Sequence, residues 1–246
     1  MKNRSQARPD GASSTWGLDD DPDPWMLSPS DFAFLWDDCC RCFYRKVACR
    51  QPRLRMPFPS VFGKIDRAMK EHFLGERAET VAEGMPEGVI GGGDRWVKSA
   101  PFELPGCSRT VVIRGRVDVL VDCDGGSFGV IDFKTTMPKA DHIATYSRQL
   151  HAYAWALEHP ASGSPVPVSA LGLLCFLPET FGAHGPRAGV FGSLEWVEIP
   201  RDDEKFAGFL CEVAAVLEGA VGPPPSPDCP WCPLVDGRNG GLCCIS

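Results

Sequence analysis

Residues 110–135 read TVVIRGRVDVLVDCDGGSFGVIDFKT, two β-rich runs separated by a polar, glycine-bearing break. Val, Ile and Phe crowd both runs, and branched and aromatic side chains suit a pleated surface. Asp124-Gly125-Gly126 supplies the residues a tight reversal needs. Thr110 to Asp122 and Phe128 to Thr135 are therefore expected to form a β-hairpin. Side chains alternate faces along a strand. Val117, Val119 and Val121 should share one face of the first strand, with Arg116, Asp118 and Leu120 on the other. In the second strand Asp132 and Lys134 share a face, opposite Ile131 and Phe133.

The charges in these strands carry the functional information. A charged side chain inside an apolar strand is costly unless it is paired or holds a metal. The hairpin can bring the carboxylates of Asp118 and Asp132 and the ammonium of Lys134 to one point. Facing carboxylates repel, and a divalent cation between them removes the penalty. Hard oxygen ligands suit Mg²⁺ or Mn²⁺. A lysine beside such a pair can orient an attacking water or neutralise charge developing on a phosphate. The matching reaction is phosphodiester hydrolysis. Taken alone, Asp132-x-Lys134 is more simply a salt bridge, so the neighbouring elements have to decide.

Downstream, a helix is expected from about Asp141 to Glu158, with Gln149 and Tyr153 four residues apart on one face. Apolar strands follow at Val168 to Leu177 and Leu194 to Ile199, then an amphipathic helix over Asp202 to Glu218. Its acidic first turn suits the macrodipole. Upstream, Ser28-Pro29 opens a short helix carrying Phe32, Phe34, Leu35 and Trp36. A second helix runs from about Pro59 to Leu74. Residues 84–93 read as a loop, and Gly91-Gly92-Gly93 has no strand and helix around it to make a phosphate cradle. The fold class is α/β: a mixed β-sheet flanked by helices. Residues 1–27 are expected to be a disordered acidic leader and 28–221 the folded domain. Residues 222–246 are expected to be a Pro-rich linker and a cysteine-bearing tail.

In order and spacing, Gly115-x-x-Asp118, Asp132-Phe133-Lys134-Thr135 and Gln149-x-x-x-Tyr153 resemble the RecB-like branch of the PD-(D/E)XK nucleases. The resemblance implies a restriction-endonuclease-like core and a DNA nuclease, an exonuclease in particular. It makes Asp118, Asp132 and the Phe133 carbonyl ligands of Mg²⁺ or Mn²⁺, Lys134 the residue that positions water, and Gln149 and Tyr153 supports of the site. Members of this branch often place a metal-binding His on an early helix, where this chain carries Asp66. Asp66 is thus a candidate ligand, and an i,i+4 salt bridge with Lys70 explains it equally well.

The chain's ends are similar to CRISPR-associated and AddB-type members, in which terminal cysteines hold a [4Fe–4S] cluster. By that resemblance Cys39, Cys229, Cys232 and either Cys243 or Cys244 are the ligands. Zn²⁺ suits the same thiolates, and reduced, unligated thiols are the third alternative. Cys107, Cys123, Cys175 and Cys211 stand in apolar surroundings and read as small core residues.

Composition sets the remaining limits. The net charge of −7 hides an asymmetry. Residues 41–70 hold nine bases and one acid, while residues 1–40 hold eight Asp against three bases. The basic stretch suits phosphate, hence a DNA partner, or else pairs with the acidic leader. No apolar run is long enough for a membrane span and no secretory signal is present, so the expectation is a cytoplasmic protein. Protein partners in a DNA-processing complex fit the same resemblance. Two further classes stay open: an inactive DNA-binding module with the nuclease fold, and a cysteine-rich metal-binding regulator.

Overall fold

The computed structural model describes residues 23–54 and 59–239; residues 1–22, most of the expected leader, and Cys243 and Cys244 lie outside them. The chain begins with β1 (Trp25–Leu27), α1 (Pro29–Phe34), α2 (Cys40–Val47), α3 (Ser60–Phe73) and α4 (Ala78–Val81). Five strands follow: β2 (Gly88–Ile90), β3 (Arg95–Lys98), β4 (Val111–Val117), β5 (Val119–Cys123) and β6 (Phe128–Lys134). The long helix α5 (Ala140–Glu158) leads to β7 (Val168–His184) and β8 (Arg187–Glu198), then α6 (Asp203–Leu217) and α7 (Trp231–Asn239).

The strands form two mixed sheets, one ordered β1-β4-β3 and the other β2-β5-β6-β7-β8. β5 and β6 make the expected antiparallel hairpin, turning through Gly126 at φ +77. β6 and β7 are parallel, so α5 is the crossover between them. One apolar core joins α1, α2, α5 and α6 to one side of the sheets. A second lies on the opposite side beneath α3 and α4. This is the helix-flanked mixed sheet expected of a restriction-endonuclease-like core.

The run from Thr110 to Asp122, expected as one strand, breaks at Asp118 and feeds both sheets. The break resets the alternation. Val117 packs in the α5 core with Leu120, whereas Val119 and Val121 pack in the α3 core. The cause is local hydrogen bonding. The Asp118 carboxylate accepts from the Phe133 N–H at 3.2 Å, and its carbonyl accepts from the Asp94 N–H at 3.0 Å. A continuous strand would use those backbone groups in its ladder.

Three other elements differ from expectation. Trp25 to Leu27, inside the expected leader, pair in parallel with β4, and Leu27 is buried. The expected loop at 84–93 contains β2, which pairs with β5. β7 and β8 also run past the sheet as a two-stranded arm that turns at Gly185. The arm pairs only with itself and leaves Phe181 and Phe191 exposed, so no apolar alternation announces it. α5 and α6 match their predicted spans within a residue or two, and Asp202 caps α6 by accepting from the Lys205 N–H at 2.9 Å. Among the described residues no helix is long and apolar enough to cross a membrane.

Candidate active site and cysteine centre

The break at Asp118 faces the end of β6, where Asp132, Phe133 and Lys134 stand in sequence. As expected, Asp132 and Lys134 share the face towards α5, while Phe133 packs with Phe73 of α3 on the other, ring centroids 6.3 Å apart. The Phe133 N–H bond ties the Asp118 carboxylate to this strand. Asp132 is buried and ion-paired to Lys134. Burial lifts its carboxyl to about 6; the Lys134 ammonium opposes the rise, and the charge of Asp118 adds to it. Burial pulls Lys134 down, but the Asp132 carboxylate outweighs it and holds the ammonium protonated. That ammonium also lies 4.6 Å from the centre of the Tyr146 ring and 5.6 Å from that of Phe34.

From α5, the Gln149 amide donates to Asp132 Oδ1 at 3.4 Å. The Gln149 side-chain carbonyl is buried without a hydrogen-bond partner among the described residues. One turn on, burial raises the Tyr153 hydroxyl against hydrogen bonds from Gln149 and Ser30. Gly115 explains how this ring fits. A Cβ there would lie 2.8 Å from Pro29 Cδ and 2.9 Å from Tyr153 Cε1, so only glycine lets α1 and α5 close on β4.

Lys70, Asp94 and Arg116, none of them expected as site residues, complete the surroundings. Lys70 of α3 donates to Asp118 Oδ1 at 2.6 Å, to Asp66 at 2.9 Å and to Asp94 at 3.4 Å. Burial lowers the Lys70 ammonium, but Asp118 overrides it and drives it well up. Burial raises Asp66, against the pull of Lys70. Arg116 pairs with Asp94 at 2.8 Å. The expected Asp66–Lys70 salt bridge is present, and it opens on the same cleft as Asp118, about 600 Å³, which Arg67 and Arg116 also line. Gly93 belongs here too, since a Cβ on it would stand 2.5 Å from the Asp118 carbonyl oxygen.

The basic stretch is largely paired. Lys46 binds Asp31, Arg50 binds Asp23, Arg53 binds Asp38, and Lys70 is held in the cleft. Pairing with nearby acids therefore accounts for much of that charge, and Arg67 remains as a base lining the cleft.

For a divalent cation the donors fit in kind. Asp118 and Asp132 offer hard oxygen, and the charge of Asp118 adds to the cost of ionising Asp132.

Cys39, Cys42, Cys229 and Cys232 bring their Sγ atoms within 4.8 Å of one another, all four buried. Cys39–Cys232 is 3.7 Å, Cys42–Cys229 3.6 Å and Cys42–Cys232 3.7 Å. The fourth thiol of the group is thus Cys42. Its signal was the spacing Cys39-x-x-Cys42, which repeats Cys229-x-x-Cys232. Burial would raise the Cys39 thiol, but hydrogen bonds from the Ser226 and Cys42 backbones bring it down to about 6. A four-iron cluster puts one thiolate on each iron and spreads the sulfurs roughly 6 Å apart. Three pairs at 3.6–3.7 Å, with all four sulfurs within 4.8 Å of one another, do not fit that group.

A strand-borne Asp thus faces an Asp-x-Lys buttressed by a helix-borne Gln. The chain belongs to the PD-(D/E)XK nuclease superfamily, whose family model matches residues 41–236. No curated protein matches it. Among solved structures it is similar to that of a protein named SSO0001, at 15% identity over 79% of this chain and 77% of the other, with a TM-score of 0.43.

Proposed function

We propose that the protein is a metal-dependent DNA nuclease of the RecB-like type, acting as an exonuclease. The observation that carries this reading is the meeting of Asp118 with Asp132 and Lys134 across β6, with Gln149 against Asp132. Asp118, Asp132 and the main-chain carbonyl of Phe133 would hold Mg²⁺ or Mn²⁺. Such a cation, when bound, acidifies water and offsets charge on the phosphate.

The chain's own groups do the rest. Lys134, fixed by Asp132 and two aromatic faces, keeps a proton-bearing ammonium where the attacking water is oriented. The unpartnered Gln149 carbonyl offers an acceptor in the same buried place. Tyr153 and Pro29, closing on Gly115, hold α5 and its Gln149 in register with β4. Arg67 and Arg116, lining the cleft beside Asp118, supply positive charge for the strand entering it.

One observation favours a second reading, a non-catalytic DNA-binding module with the same fold. Lys70 already neutralises Asp118, and Asp66 stands where the resemblance expects a histidine. Hydrolysis of end-labelled DNA with Mg²⁺ or Mn²⁺ separates the two. Cleavage lost in Asp132→Ala with DNA binding retained supports the enzyme. Binding without cleavage by wild type under either metal supports the module.

A further inference from the structure

The four-cysteine centre shares no residue with the carboxylate site, and its dimensions point to the kind of metal it suits. We infer that Cys39, Cys42, Cys229 and Cys232 bind a single zinc ion in a tetrahedral all-thiolate site that clamps the two ends of the folded domain together.

The first argument is distance. A tetrahedron with metal–sulfur bonds of about 2.3 Å has edges of about 3.8 Å. Three of the six separations, at 3.6, 3.7 and 3.7 Å, match those edges within 0.2 Å, and all four sulfurs lie within 4.8 Å of one another. They are far too long for disulfides, whose sulfurs sit about 2 Å apart. All four side chains are free thiols.

The second argument is construction. Each pair is a Cys-x-x-Cys at the start of a helix. Cys39 precedes α2 and Cys42 lies in its first turn; Cys229 precedes α7 and Cys232 lies in its first turn. Positive helix ends and their open N–H groups favour thiolates there. Four thiolates on a divalent ion leave two negative charges, and the surroundings answer them. The Ser226 N–H points at Cys39 Sγ at 3.5 Å, and the Arg53 guanidinium at Cys229 Sγ at 3.6 Å. Soft sulfur donors, a closed buried site and tetrahedral geometry select zinc among abundant divalent ions. Binding displaces the thiol protons and needs no oxidant or reductant.

Full-length protein, purified without added metal under air and again anaerobically, is assayed for zinc, iron and acid-labile sulfide. The expected result is one zinc per chain with neither iron nor sulfide, and X-ray absorption on that sample showing four sulfurs at about 2.3 Å. Zinc content should collapse in Cys42→Ser and Cys232→Ser and persist in Cys40→Ser and in the Cys243→Ser/Cys244→Ser double variant. Iron with sulfide, the absence of bound metal, fewer than four sulfurs around zinc, or zinc lost on replacing Cys243 and Cys244 overturns the inference. The X-ray measurement needs no variant, so a misfolded Cys42→Ser leaves the test intact. None of these readouts involves DNA, so they stand or fall apart from the nuclease reading.

Discussion

Gly115 is the residue whose role is most sharply defined by distance. A methyl group there meets the Pro29 ring at 2.8 Å and the Tyr153 ring at 2.9 Å, and both are held by packing. Gly115→Ala should therefore cost about 1–3 kcal/mol, an overpacking penalty, read as a lower urea midpoint with unchanged slope. The cleft arginines give a second expectation. Arg67→Ala and Arg116→Ala should each weaken DNA binding and reduce the slope of log affinity against log salt by about 1. A slope equal to that of wild type would remove them from the DNA path. At this scale the sequence was informative where chemistry is written in neighbouring residues. Asp132, Lys134, Gln149 and Tyr153 lie on a face that strand and helix periods predict. The approach of Lys70 and Asp94 to Asp118 was not legible, because it spans 48 and 24 positions through tertiary packing.

At the scale of elements, one histidine ties α5 to the start of α6. His151 is buried, its Nδ1 lies 2.7 Å from the Ser147 carbonyl oxygen, and its Nε2 accepts from the Asp202 N–H at 2.8 Å. Nδ1 therefore carries the proton and Nε2 must stay bare. Burial accordingly lowers its pKa below the ordinary 6.5 of histidine. A depressed histidine stabilises the fold in its neutral form: the contribution is complete above the unfolded pKa and is lost as pH falls towards the folded one. Urea midpoints at pH 7.5 and 5 should differ more for wild type than for His151→Gln; equal differences would refute the linkage. The Asp202 cap is separable, and Asp202→Ala should cost about 1 kcal/mol. Element boundaries were legible in α3, α5 and α6 from apolar spacing, and in α6 also from its capping Asp202. They were not legible at Asp118, where one apolar run serves two sheets, nor in the arm of β7 and β8, which has no core to pattern it.

Across the whole molecule, the two cysteine-bearing segments flank the carboxylate site in sequence. Cys39 and Cys232 are 193 positions apart, and the segment between them contains α5 and every strand but β1. α1, just ahead of Cys39, carries Pro29 onto Gly115 and Phe34 beneath Lys134. Loosening the ends should thus loosen the wall of the site, so removal of the thiolate-bound metal by a chelator is expected to lower the thermal midpoint. The most direct test of the central claim is cleavage of end-labelled DNA with Mg²⁺ or Mn²⁺ by wild type and Lys134→Ala, with binding measured on the same samples. The structure predicts metal-dependent hydrolysis by wild type and a loss of about 100- to 1,000-fold in Lys134→Ala, with binding unchanged. Equal cleavage by both proteins, or none by either, would contradict it.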